Sequence, residues 1–572
     1  MIAYPSVVFV LLQVIEFFIN NYDLDHRFLT AGIVAAIVLL PAAVLWNWRH
    51  GEQGEQRVTR SEISAYAALG IAAVAAVAWY WSTAPVEVRP PSRSVEAVRS
   101  VAVMPFANAG DDADVQYLCD GIAESLTNWL ASVPGVKVIS KSAAFRLRDH
   151  SDDTAKLVEA LGVDNVIRGR LEKHGDEIVI SAALIDTSDE SQLWGERMVQ
   201  PLAKVLILER SIVAAIKDGL RLKVSDAASV QSAAGGTDDP DAYQHYLRGH
   251  FLIQATDFGS IDSGLEDLRT AISIDPQFAL PYADIAAAMV QKVLYGMAND
   301  ESLRGEARTA AFSAAALAPG IAEAHTALAM MHQTITFDWA AAEEAFEAAV
   351  ALSPQNPATF ARYSEFLWAT LRFERALEIA RRGLAIDPLD GSLMHSAGIS
   401  LLYSGDFAGA AAEFGQWNQL YSGSHWSYVK YALALALDKQ CDEAAVPAAT
   451  AERLTVGYES PFIDTWLAWG YHVCGRNDLF TNAMARIAEY ADANPDSIDV
   501  ALIFYRVLEG DVDGAVDLVR KVADARIPSA AFMQIFLLDH MGWPSARALR
   551  QDPRMQDAVR EMHFPPTEWS VN

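Results

Sequence analysis

The sequence predicts a multidomain chain: transmembrane helices, then a small α/β domain, then an all-α superhelix. Three observations predict it. Apolar stretches crowd the first 83 residues, short strands and helices alternate through 100–225, and small residues recur about every 34 positions from 240 onward. The 572 residues allow three or four domains at roughly 100–200 residues each. With 44 basic against 73 acidic side chains, the net charge is −29. Such a chain lacks the basic footprint that follows a phosphate backbone, so nucleic acid is excluded as a partner. Its 52% hydrophobic and 10% aromatic content argues against disorder, and three cysteines are too few for a disulfide scaffold.

Residues 1–83 read as a membrane anchor of two or three spans, about 1–19, 28–48 and 63–81. Phe28 to Trp48 carries no charge and is long enough to cross a ~30 Å hydrocarbon layer. Ile63 to Trp81 ends in Trp79-Tyr80-Trp81, suited to the headgroup interface. The first stretch holds Gln13 and Glu16, so two spans and three both stay open. No Lys or Arg precedes Arg27, which argues against a cleaved signal peptide. Arg49, Arg57 and Arg60 between the second and third stretches place that loop in the cytoplasm by the positive-inside bias. The expectation is a bacterial inner-membrane protein with periplasmic C-terminal domains; Arg89, Arg93 and Arg99 keep the opposite orientation open.

Residues 84–99 form a proline-containing linker. Val101 to Phe106 is a short apolar run typical of a buried strand. Asp120 to Leu130 has helical spacing, with Ile122, Leu126 and Leu130 on one face. Val136–Ile139 is a second strand and Asp153–Leu161 a second helix. Val166–Leu171 and Ile178–Ile185 are strands joined by a turn at Gly175-Asp176, and a last helix runs from about Pro201 to Leu222.

In this stretch "VAVMPF", "DGIAESL", "PGVKVIS", "LGVDNVIRG", "GDEIVISAALID" and "LWGER" follow one another in the order seen in the TolB N-terminal-like (FlgO-like) domain. The chain resembles members of that group across 100–225. The resemblance implies an α/β fold between a membrane anchor and tetratricopeptide repeats, in a group often linked to class III adenylate cyclases or winged-helix regulators. No cyclase or DNA-binding domain stands ahead of the apolar stretches, so the expectation is a chain without either activity. Asp120, Gly121 and Glu124 admit an active-site reading, but a helix start with an acid in its first turn explains them as well.

After a second linker at 226–239, the array spans 240–547. Gly264, Ala307, Ala342, Ala376, Ala410, Ala444, Ala483 and Ala515 are spaced by 43, 35, 34, 34, 34, 39 and 32 residues. Twelve positions after most of them stands a turn residue: Pro276, Pro319, Pro354, Pro388, Ser422 or Pro495. This is the tetratricopeptide pattern: paired helices approach closely where one side chain is small, and proline stops the second helix. Seven or eight hairpins are expected to stack into a superhelix. Residues 548–572 form a C-terminal cap, whose "ALRQDPRM" resembles the element closing arrays in the same group.

The concave face of such an array is lined by the first helix of each pair. Arg362, Glu365, Trp368, His395, Tyr403 and Trp426 fall near it and are the candidate groove for a protein partner. Trp368 and Trp426 also fit simple packing between hairpins. Residues 227–572 carry 45 acidic against 23 basic residues, most of them in the repeats, which describes a solvated outer face or attraction of a basic partner.

No HExxH, CxxC, phosphate-cradling glycine loop or G-x-S-x-G elbow is present, so no catalytic residue, cofactor or metal is expected. His325 and His332 share a helical face without a third ligand. Cys441 and Cys474 fall near turns of successive hairpins and can meet in space. In an oxidising compartment a disulfide and a pair of small buried residues both stay open; otherwise they are small buried residues. The reading is a membrane-anchored, non-enzymatic interaction scaffold. A sensory or regulatory subunit acting on a separate effector, with Glu16 as its contact, is the alternative. A nucleotide-cyclase or transferase activity in 100–225 is the remote one.

Overall fold

The computed structural model describes residues 99–564, apart from 221–236, 255–257, 295–300, 526–537 and shorter gaps, together with Ser64, Ala65, Ala67 and Ala68. The chain divides into two units, Met1–Val95 and Glu96–Asn572. In the first, the four described residues are helical and exposed. The expected spans at 1–19 and 28–48, most of 63–81, and most of both linkers lie outside the described residues. Among the described residues no helix is long and apolar enough to cross a membrane.

The second unit opens with a mixed sheet. Its strands are β1 (Arg99–Val103), β2 (Ala107–Asn108), β3 (Val136–Val138), β4 (Asn165–His174), β5 (Glu177–Asp186) and β6 (Gln192–Pro201). The order is β3-β1-β4-β5-β6, with β2 beside the far end of β4. β1 runs parallel to β3 and β4, while β4, β5 and β6 form an antiparallel meander. Four helices surround the sheet: α1 (Gln116–Ala131), α2 (Lys141–Arg146), α3 (Thr154–Leu161) and α4 (Val205–Gly219).

The apolar run at 101–104 reflects burial on both faces of β1. Val101 and Val103 join the core with Ile122, Leu126 and Leu130 of α1, while Ala102 and Met104 join Leu157 and Val166 on the opposite side. The motif glycines and acids have local causes. Gly162 ends α3 at φ +59°, a left-handed position that glycine adopts without strain. Asp164 accepts from the backbone N–H and hydroxyl of Ser100 at 2.9 and 2.8 Å. A Cβ on Gly169 would lie 2.5 Å from the Phe106 ring.

One reading needs correction. The last helix does not begin at Pro201: "LWGER" is the middle of β6, which runs to Pro201, and α4 starts at Val205. Leu193 and Val199 of this edge strand stay exposed, so the segment lacks a clean alternating pattern.

From Pro240 the chain is helical: α5 (Pro240–Ile253), α6 (Phe258–Ile274), α7 (Ala279–Leu294), α8 (Glu301–Leu317), α9 (Ala322–Met331), α10 (Trp339–Leu352), α11 (Pro357–Ala369) and α12 (Phe373–Ile386). Next come α13 (Gly391–Ser404), α14 (Phe407–Leu420), α15 (His425–Leu437), α16 (Cys441–Leu454), α17 (Pro461–Val473), α18 (Asn477–Ala493), α19 (Val500–Glu509) and α20 (Val512–Asp524). They make eight antiparallel pairs. Every member of the small-residue column lies in a second helix, from Gly264 in α6 to Ala515 in α20, and the seven alanines are all buried. A Cβ on Gly264 would lie 2.9 Å from the Gly249 carbonyl oxygen, which shows how closely α5 and α6 pass.

Two short helices, α21 (Ala546–Gln551) and α22 (Pro553–Glu561), follow. They pack on α20, where Arg554 meets Asp513 and Asp517. The terminal segment does more than cover the last apolar face. His540 donates to the Tyr403 carbonyl at 2.8 Å, and the Met541 carbonyl accepts from the Trp469 indole at 3.1 Å. The Met562 carbonyl accepts from the Trp339 indole at 2.8 Å, with Phe564 stacked on the same ring. The C-terminal segment is thus tied to the third, fifth and seventh pairs.

Close helix approach makes the column intolerant of bulk. Ala376→Leu is expected to cost about 1–3 kcal/mol in chemical denaturation, whereas Arg381→Leu on the exposed face of α12 changes stability little. Equal effects would mean that the column does not set the helix spacing.

Candidate functional site

All six predicted groove residues lie on first helices of three consecutive pairs: Arg362, Glu365 and Trp368 on α11, His395 and Tyr403 on α13, Trp426 on α15. Local sequence fixes these helices. Asn356 caps α11 ahead of Pro357, and Asp390 caps α13 through the backbone N–H groups of Ser392 and Leu393. Arg362 and Glu365 are about half exposed and pair at 3.0 Å. An exposed pair of this kind adds little stability, so both charges are open to solvent. Trp368 and Tyr403 are buried and packed against each other, with ring centroids 6.3 Å apart. They serve the hairpin interface. His395 and Trp426 are half-buried.

The structure adds a residue that the spacing did not single out. Lys430, one turn after Trp426 on α15, is only 8% exposed. Its Nζ lies 2.5 Å from His395 Nε2, so the imidazole accepts there. The same ammonium sits 5.5, 5.3 and 5.9 Å from the ring centroids of Trp417, Trp426 and Trp466. Aromatic faces favour the charged form, while burial disfavours it. Burial prevails and brings the Lys430 pKa down to about 7, against the opposing pull of Glu365. Burial and then the charge of Lys430 hold His395 well below its ordinary range, and His425 is lowered by the same causes. A lone cation in the otherwise apolar run "YVKYALALAL" was the available signal.

Arg362, Glu365 and Trp368 also line a cavity of about 40 Å³ with Val290, Met330 and Trp339. That volume suits a water or two rather than a cofactor. Among the described residues no cluster of three His, Cys, Asp or Glu side chains is arranged to hold a metal. His325 engages the Pro319 carbonyl, and His332 engages Thr336. Burial, then Asp120, pushes the Cys119 thiol up to about 12, which leaves it unreactive. Cys441 and Cys474 are joined by a disulfide, with Cα atoms 5.5 Å apart.

Asp120, Gly121 and Glu124 face other protein groups. Asp120 pairs with Arg148 at 2.8 Å. A Cβ on Gly121 would meet Leu247 of α5 at 3.0 Å. Glu124 lies 2.5 Å from Lys141 and 3.3 Å from His250 of α5, and His250 reaches Asp284 of α7 at 2.6 Å. Burial alone would lower the His250 pKa, but Asp284 and Glu124 outweigh it and raise it to about 10. Burial would raise that of Glu124, yet His250 and Lys141 hold it well below the carboxylate range. Gly121 and Glu124 thus join the α/β domain to the array. Nearby, fully buried Glu209 of α4 accepts from Ser125 and Tyr243. Farther along, Arg146 lies over the Tyr421 ring at 4.2 Å, and Ser142 bonds Asp387.

Residues 97–215 match the family model described as the second domain of HilA/YgeH-like transcriptional regulators. Residues 336–397 match a tetratricopeptide-repeat model. A Rhizobium meliloti (strain 1021) protein that bears an adenylate cyclase name is 28% identical over 214 residues, 36% of each chain. The match therefore spans about a third of that relative's length. Among solved structures, pilF of Pseudomonas aeruginosa is 18% identical, covering 40% of this chain and 99% of its own, at a TM-score of 0.31. Yeast Tom70 is 14% identical, with 57% and 68% covered and a TM-score of 0.34. The human IFIT1 dimer is 13% identical, with 63% and 77% covered and a TM-score of 0.39. The match at 336–397 together with the succession of helix pairs makes the C-terminal part tetratricopeptide-like.

Lys430 supplies a test of the groove's electrostatics. Its ordinary pKa is 10.5 and its folded value about 7. Between these values the unfolded chain holds the proton and the folded chain does not, so folding gains stability as pH rises through the window. Below pH 7 both states are protonated and the full cost of burial remains. Lys430→Met should therefore exceed the wild type in stability by about 2–4 kcal/mol near pH 6.5. The difference should shrink toward pH 10, as read by urea denaturation at each pH. A difference that does not change with pH would contradict the assignment.

Proposed function

We propose that this chain is a membrane-anchored, non-enzymatic scaffold that binds a protein partner in the groove between α11 and α15. One observation carries the reading. Three consecutive first helices bring an exposed Arg362–Glu365 pair and half-buried His395 and Trp426 around a buried lysine. Aromatic and arginine side chains beside desolvated polar groups are the usual anchors of a protein interface. The apolar stretches before residue 83 support a bacterial inner-membrane anchor. The Cys441–Cys474 bond supports placing the array in the periplasm, because such bonds persist in oxidising compartments. The TolB N-terminal-like assignment of 100–225 belongs to the same proposal.

A second reading, a regulatory subunit acting on a separate effector, is favoured by the ties between α1, α2 and the array. Occupation of the groove would be felt by the α/β domain through Arg146 and Glu124. The similarity to a regulator domain and to a cyclase-named protein accords with it.

A photo-crosslinker at Arg362, compared with one at Arg381 on α12, tests the groove in intact cells. The expected result is a discrete protein adduct from position 362 alone, lost on Trp426→Ala. Equal labelling from both positions would contradict the groove. Protease added after permeabilising the outer barrier should digest 99–564; protection until the inner membrane is lysed would overturn the periplasmic placement.

A further inference from the structure

The outer face of the α/β sheet is only half covered. Helices α2 and α3 lie over its β1 side, with Ala144 and Leu157 packed on Met104 and Val166. Beyond them β4, β5 and β6 leave an open trough of about 570 Å³, within the range of small-ligand pockets. Strand register sets its contents. Arg170, Ser181 and Arg197 form one cross-strand row, and Arg168, Ala183 and Gly195 form the next. Basic side chains thus stand on β4 and β6, above a floor of small residues on β5. The side chain of Gln192 folds onto the Gly195 backbone, where a Cβ would collide with it at 2.0 Å.

The pattern is unexpected for this chain. Its acidic residues outnumber basic ones by 73 to 44, yet among the described residues Arg170 and Arg197 make no ion pair. The two arginines flank Ser181 in one row, two strands apart. Charges on an edge strand can guard against unwanted pairing, which accounts for Arg197 on β6. It does not account for Arg168 and Arg170, because β4 has neighbours on both sides. Glu196, which also borders the trough, lies opposite Ala182 and so alternates to the helix-covered face. Arg168 is held in place at the rim by the Thr154 hydroxyl at 3.1 Å.

We propose that this trough binds a phosphate-bearing small ligand, with the phosphate held between Arg170 and Arg197 above the Ser181 hydroxyl. Two strand spacings, roughly 10 Å, separate the two arginine positions. Both guanidinium groups can reach a single group lying over the strand between them. A phosphate offers enough oxygens for two planar forks and a hydroxyl. Ala183 and Gly195 leave flat space beside it for the rest of the ligand. The site lies on the α/β domain and is independent of the groove proposal.

Isothermal titration calorimetry on the full chain, with ATP and inorganic pyrophosphate as probes, tests this. Saturable one-site binding is expected, weakened at least 30-fold in the Arg170→Gln/Arg197→Gln double variant and unchanged in Arg381→Gln. Ala183→Trp, which keeps both charges, should weaken ATP more than pyrophosphate. Unchanged melting temperatures would show that the variants remain folded. Absence of saturable binding by either probe, or less than a threefold loss in the double variant, would overturn the proposal. Tighter binding of poly-glutamate than of either probe would also overturn it and make the face a docking surface for acidic peptides.

Discussion

The second unit is joined by a cluster of partly buried charges. Glu124 of α1, Lys141 of α2, His250 of α5 and Asp284 of α7 lie within hydrogen-bonding or ion-pair reach of one another. Their side chains are 18–32% exposed, so water shares in their solvation and each ion pair adds only modestly while orienting the junction. Separating the α/β domain from the first hairpins would leave these groups unmatched. The same junction buries Glu209 against Ser125 and Tyr243. Two domains that could have been beads on a string are thereby coupled through their first point of contact.

That coupling shapes what the array can do. The first hairpins are committed to the α/β domain, and the C-terminal segment ties down Trp339, Tyr403 and Trp469 farther along. The first helices between these attachments keep exposed charges, at Arg362 and Glu365. Under the proposed reading a partner would meet Arg362, Glu365 and the exposed edge of Trp426, while Lys430, Trp417 and Trp466 lie buried beneath them.

Much of this architecture was legible in the sequence. The small-residue column and its trailing prolines located every second helix, because helix spacing depends on one side chain per pair. The alternating pattern found β4 and β5, whose inward faces are apolar. It missed β6, which has no fully apolar face, and α2, whose six residues are too short to show a period. The groove residues were placed on the correct helices, but periodicity could not separate buried Trp368 and Tyr403 from half-exposed Trp426. Lys430 was passed over for a related reason: a single lysine, even in an apolar run, reads as a solvated charge unless the surrounding tryptophans are known. The role of Glu124 was hidden too, since His250, its partner across the domain junction, lies more than a hundred residues away.

A double-mutant cycle between Glu124 and His250, read by denaturant unfolding near pH 7, tests the central claim that the α/β domain and the array form one cooperative body. The account predicts one unfolding transition for the parent chain and a coupling energy of about 1–3 kcal/mol between the two positions. Additive single effects, with separate transitions for the two domains already present in the parent, would contradict it.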